Sequence, residues 1–294
     1  MSLFNKNFRK QGISEIELAY WLGFNGRYTP NDRKFWSGSD DENSHLGSEK
    51  THPEKFNYWK NRSINYNYNN LGFRSEFDFE PGMKGDIYLG CSFTEGVGLP
   101  LECSWPSLLS AELGVRGFNL GTGGYSIDTC FRYLVAAHKF GLKFKRVFLL
   151  VPPPNRYERI IKDNSLFKLF LNERHQEDTI FHTMPNMMNH YWTDDAILTG
   201  KNELIISYLI GSNHNALINS YKTTLAIKAF TENTGAKLYY RSFTELNKHN
   251  IRRAMRENKD EINMVPARDG HYSNIFHSNL KNIFMKELLG KPII

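Results

Sequence analysis

Three short apolar runs set the rhythm of the middle of the chain: Asp86 to Gly90, Val115 to Leu120 and Arg146 to Val151, each ending where a Gly or Pro starts a loop. Near-continuous apolar runs of this length are what strands buried on both faces require. Between them, Trp105 to Leu113 and Ile127 to Phe140 carry apolar residues at helical spacing, and Ser220 to Thr234 followed by Lys237 to Arg241 resumes the alternation. The end of the chain passes through the loop ARDGHYS into a helix with Ile275, Leu280, Ile283, Phe284 and Leu288 on one face. Strand and helix in alternation predict an α/β fold, a three-layer αβα sandwich around a doubly wound parallel sheet, with functional loops beyond the carboxyl ends of the strands.

The flanking regions have weaker patterns. Ile13, Ile16, Leu18, Trp21 and Leu22 fit one short amphipathic helix, and the polar stretch from Tyr28 to Lys55 reads as irregular surface structure. Aromatic and polar residues nearly alternate from Asn57 to Phe79, which predicts one or two short strands leading to a domain that starts near Pro81. The expected organisation is an N-terminal arm, 1–80, and a main domain, 81–294. Within the latter, residues 155–219, rich in Asn, His, Met and aromatics, form an insertion at the edge of the substrate cleft.

Composition narrows this picture only a little. A chain of 294 residues, 40% hydrophobic and 14% aromatic, has ample material for one large α/β domain with insertions. The charge of +6, from 37 basic and 31 acidic residues, is spread without a basic cluster, so it favours an anionic substrate or surface slightly and specific nucleic-acid binding not at all. Cys91, Cys103 and Cys130 have no metal-ligand spacing and read as reduced thiols of a cytoplasm-like compartment. No signal-peptide pattern and no run near the ~18 apolar residues of a membrane span is present, so a soluble protein without transmembrane segment is expected. His175, His182, His190 and His214 match no ligand motif, and neither metal nor cofactor is expected.

The candidate chemistry lies at two strand ends. The segment DIYLGCSFTEGVGLP puts Ser92 at the exit of the first run, with Gly90 before it and Gly96 and Gly98 after it, as a hydroxyl held clear of a sheet requires. A helix N-cap is the other reading of such a serine. The segment ARDGHYSNIFH places Asp269 two residues before His271, where a carboxylate fixes the tautomer of an imidazole base; an ordinary Asp-Gly turn with a surface histidine has the same letters. Gly121, Gly123 and Gly124 do not have dinucleotide-loop spacing, since Ser126 stands at the third glycine position, and GCSFTEG lacks the Gly-Lys-Ser/Thr of a phosphate-binding loop. Cys91, a second conceivable nucleophile, reads as a small buried thiol.

Together and in this order, these segments resemble the SGNH/GDSL hydrolase family. GCSFTEG is similar to its first block, with Cys91 where the family usually has Asp; FNLGTGGYS is similar to the second, which makes Gly124, five residues after Asn119, the glycine whose N–H binds the oxyanion. The third block is represented by PPPNRYER, in which Asn155 matches the oxyanion-hole asparagine, and DGHYSNIFH is similar to the terminal block. The resemblance spans about Gly85 to Leu289. It implies Ser92 as nucleophile, His271 as base, Asp269 as its orienting acid, and an oxyanion hole from Ser92, Gly124 and Asn155, with His277 packing or capping the last helix.

What this implies is a serine ester hydrolase acting on an ester or O-acylated small molecule or carbohydrate, with Arg156 and Tyr157 as substrate contacts and Tyr191 and Trp192 available to stack on sugar rings. An O-acyltransferase and a non-catalytic binding or structural module on the same fold are the alternatives.

Overall fold

The computed structural model describes residues 28–154, 156–160, 180–183, 213–242, 264–269 and 271–291. The predicted helix before residue 27, Asn155, Tyr191 and Trp192 lie outside these residues.

The N-terminal part contains β1 (Arg33–Lys34), α1 (Glu42–Thr51), α2 (Pro53–Trp59) and β2 (Tyr66–Asn67), with β1 and β2 antiparallel. The stretch expected to be irregular thus holds α1 and the start of α2. No apolar stripe announces α1, in which only Ser48 is buried; its start is fixed by Asp41, whose side chain accepts the Ser44 N–H at 2.9 Å. Pro53 sits in the first turn of α2, where a missing N–H costs nothing. Trp59, Ile64, Tyr66 and Tyr68 form the small core of this layer, joined by Val265 from near the other end of the chain.

The main body follows as β3 (Lys84–Leu89), α3 (Ser92–Glu95), α4 (Trp105–Leu113), β4 (Gly117–Asn119), α5 (Ile127–Phe140), β5 (Lys143–Val151), β6 (Tyr157–Ile160), β7 (Ile180–Thr183), α6 (Asn213–Asn233), β8 (Lys237–Ser242) and α7 (Asn274–Leu288). The strands β4-β3-β5-β8 form one parallel sheet in that order, with Ile87 opposite Phe118 and Val147, and Phe148 opposite Tyr239. β6 and β7 pair separately and antiparallel. The α6 helix begins at Asn213, earlier than the apolar spacing predicts.

Strand alternation divides the core. Ile87, Leu89, Val147, Leu149 and Val151 face one side and pack with Ile127, Tyr133, Leu134 and Ala137 of α5 and Ile227 of α6. Tyr88, Phe148, Leu150 and Tyr239 face the other side and pack with Trp105 and Leu109 of α4 and Phe276, Leu280 and Phe284 of α7. This is the three-layer αβα arrangement, in which a strand must be apolar on both faces. Among the described residues no helix is long and apolar enough to cross a membrane.

Candidate active site

The site begins where β3 ends. Gly90 turns the chain with φ of 155°, and a Cβ there would meet Thr94 Oγ1 at 2.0 Å, so only glycine lets the strand pass directly into α3. Cys91 is the N-cap of that helix and makes no side-chain cap bond, so Ser92 is its first residue and its hydroxyl is left for another partner. The turn after α3 is clamped by Arg74, whose guanidinium donates to the carbonyls of Gly96 at 2.5 Å and Leu99 at 2.8 Å and lies 4.1 Å from the Tyr66 ring centre.

The partner of Ser92 comes from the loop before α7. His271 Nε2 lies 2.6 Å from Ser92 Oγ, and His271 Nδ1 lies 2.5 Å from Asp269 Oδ2. An ionised carboxylate only accepts, so Nδ1 carries the hydrogen and Nε2 is left to accept from the serine hydroxyl. The Asp269 Oδ1 atom also accepts the backbone N–H of His271 at 2.9 Å, which locks the two residues into a tight turn. The Asp269 side chain is 2% exposed and that of His271 14%, so the carboxylate is shielded and the imidazole is open to solvent at one edge. Burial pushes the Asp269 carboxyl upward, but hydrogen bonds and charge from His271 and a bond from Ser39 outweigh it and leave it below the usual carboxylate range. The Phe93 ring, 4.7 Å from the His271 ring, covers the imidazole.

The loop after β4 borders α3. Asn119 Nδ2 donates to Thr94 O at 2.9 Å, Thr122 N–H to Gly90 O at 3.3 Å, and Gly123 N–H to the buried Glu95 carboxylate at 2.6 Å. The Tyr125 N–H closes on Thr122 O at 3.3 Å, making a turn in which Gly124 takes φ of 80°. Among the described residues no acceptor takes the N–H of Ser92 or of Gly124. Arg156 donates from Nη1 to Tyr125 O at 3.5 Å, which puts a cation beside the glycine turn. Asn155 lies outside the described residues, and Tyr157 enters only as the first backbone position of β6.

Of the residues singled out from sequence, Ser92, His271 and Asp269 meet. His277, expected to pack or cap the last helix, is fully buried and accepts the Trp105 N–H at 3.0 Å, tying α7 to the first turn of α4. Cys91 is buried.

Several residues at the site escaped the sequence reading, most of them in the N-terminal layer. Ser39 Oγ donates to Asp269 Oδ2 at 2.7 Å, and Lys55 Nζ donates to the Asp269 carbonyl at 2.5 Å. Arg268, next to Asp269, forms a fork with Asp40 (Nε to Oδ1 2.8 Å, Nη2 to Oδ2 2.7 Å) and stacks 3.7 Å from the Trp36 ring centre. Tyr66 OH donates to Asp40 Oδ2 at 2.6 Å and accepts the Gly98 N–H at 2.8 Å. The adjacency of Arg268 to Asp269 was the only available sequence signal.

No protein-family model and no curated protein matches this chain. Among solved structures the chain is similar to a member of the lipolytic protein G-D-S-L family from Veillonella parvula, with 12% sequence identity, a TM-score of 0.32, and coverage of 71% of this chain and 100% of that one. A likeness of that size fixes neither family nor reaction.

Proposed function

We propose that this protein is a serine ester hydrolase that works through an acyl-serine intermediate. The observation that supports this best is the continuous hydrogen-bonded chain Ser92 Oγ, His271, Asp269, built from loops 179 residues apart at the carboxyl end of a parallel sheet.

In this reading His271 Nε2 takes the Ser92 proton as Oγ attacks the ester carbonyl, and Asp269 stabilises the imidazolium that forms. The oxyanion is held by the N–H groups of Ser92 and Gly124 and by the side chain of Asn155. His271 then gives its proton to the leaving alcohol, and water, deprotonated by the same imidazole, releases the acid. Glu95 fixes the Thr122–Gly123 peptide, one unit before the Gly124 N–H, through the Gly123 N–H. The substrate is an O-acylated small molecule or carbohydrate with a short acyl group, Arg156 holding an anionic part of it and Tyr157 contacting it.

The test is release of p-nitrophenol from its acetate and butyrate esters by wild type and by Ser92→Ala, His271→Ala and Cys91→Ala. The expected result is loss of activity by about a thousandfold or more in the first two and near-wild-type rates in the third. Activity that survives Ser92→Ala and vanishes in Cys91→Ala would overturn the assignment, and the absence of activity on every ester would remove the hydrolase reading. Transfer to added alcohols or sugars at the expense of hydrolysis would mark an acyltransferase.

A further inference from the structure

Ser39 is an exposed residue in a two-residue turn, and its hydroxyl nevertheless donates to Asp269, the acid of the proposed triad, across 230 positions of sequence. The turn is held rigidly. Ser37 and Asp40 exchange backbone hydrogen bonds of 2.9 and 3.1 Å, Ser37 Oγ is bonded to Tyr68 OH, and Asp40 is fixed by Arg268 and Tyr66. A framework of this kind presents one hydroxyl at a set place with little side-chain entropy to lose.

We propose that Ser39 is a positioning residue of the catalytic centre, which sets through Asp269 Oδ2 both the orientation and the basicity of His271. The inference rests on the hydrolase reading for its kinetic consequences. Asp269 Oδ2 accepts two hydrogen bonds, from Ser39 at 2.7 Å and from His271 Nδ1 at 2.5 Å. The two donors compete for the electron density of one oxygen. With Ser39 in place the carboxylate pulls less strongly on the imidazole proton; without it, the acid and base together hold that proton to higher pH.

Among the described residues the other charged and titratable groups around the pair are Lys55 on α2, the Asp40–Arg268 ion pair, Asp41 before α1, and His277 on α7. Lys55 donates to the backbone carbonyl of Asp269 and the Arg268 guanidinium is bound by Asp40. Among the described residues Ser39 is thus the side chain, other than His271, whose proton lies on the carboxylate itself.

The experiment compares wild type, Ser39→Ala and Ser39→Thr in three measurements: the urea midpoint, the pH dependence of kcat and kcat/KM on p-nitrophenyl acetate, and the proton NMR resonance of His271 Nδ1–H. Ser39→Ala is expected to keep the urea midpoint and KM, to lower kcat about tenfold, and to move the acid limb of the kcat/KM profile up by about 0.5–1 pH unit, the equivalent of one hydrogen bond. The Nδ1 proton moves downfield as the carboxylate pulls harder on it, and Ser39→Thr, which keeps a hydroxyl, restores all of these. An unmoved acid limb and unmoved Nδ1 resonance in Ser39→Ala overturn the proposal. Should the wild type hydrolyse no ester, the hydrolase reading fails by itself, and the Nδ1 resonance still decides the role of Ser39.

Discussion

Replacing Gly98 by Ala tests the packing of Asp269, the acid of the proposed triad, with a single methyl group. Gly98 has φ of 82°, and a Cβ there would lie 2.4 Å from Asp269 Oδ1 and 3.2 Å from Ala267 Cβ. Gly98 cannot retreat, because its N–H donates to Tyr66 OH at 2.8 Å and its carbonyl accepts the Arg268 N–H at 2.7 Å. The left-handed backbone costs an alanine about 1–2 kcal/mol and the overfilled space about 1–3 kcal/mol more, so the loss of stability is about 2–5 kcal/mol. The contact eases only if the Asp269 carboxylate moves by about 1 Å, and misplacement of that size lowers turnover by about a hundredfold. Gly114→Ala is the control: φ is 62°, but no heavy atom lies within 4 Å of the added methyl, so it carries the backbone cost alone. Urea unfolding and kcat/KM on p-nitrophenyl acetate read the two effects separately. The reasoning is refuted if Gly98→Ala keeps wild-type kcat/KM, or if Gly114→Ala loses as much activity.

Asp269→Asn, which leaves a side chain of the same shape but favours the wrong imidazole tautomer, is expected to lower kcat by about a thousand- to ten-thousandfold with little change in fold, as read by circular dichroism and ester turnover. Arg268→Met leaves the Asp40 carboxylate buried without its cation and is expected to cost about 3–5 kcal/mol in urea unfolding, part of which Asp40→Asn in the same chain restores. Burial pushes the His277 ring down from its ordinary 6.5 to about 3. The unfolded ring therefore takes up a proton below 6.5 that the folded ring refuses until about 3, and stability falls as pH drops through that window. The slope is at most ~1.4 kcal/mol per pH unit from this group. His277→Gln is expected to flatten the urea midpoint against pH over the same range.

How far the sequence discloses this structure depends on how local each signal is. α4 and α5 start and stop where expected because their caps are written into the chain: Ser104 and Ser126 accept N–H groups from Ser107 and Thr129, and Gly114 and Gly141 end the helices with φ of 62° and 104°. The alternation of Ile87, Tyr88 and Leu89 between two apolar clusters is a property of one strand and is equally legible. α1 is not, because its buried surface is a single serine and its polar composition resembles that of a loop. Ser39, Lys55 and Asp40 are invisible for a different reason. Each acts by a contact more than two hundred positions away, within a segment whose letters look like surface. Ser92 and His271 are 179 positions apart, and only the familiar company of residues around each makes the pairing legible.

The central claim is that Ser92 is a nucleophile activated by His271. Its most direct measurement is peptide mass spectrometry after exposure of the protein to p-nitrophenyl diethyl phosphate, a reagent that leaves a stable phosphoryl group on an activated serine. One adduct is expected, on the peptide that carries Ser92, absent from Ser92→Ala and formed far more slowly in His271→Ala. An unmodified Ser92, or an adduct on Cys91 or any other residue that persists in Ser92→Ala, would contradict it.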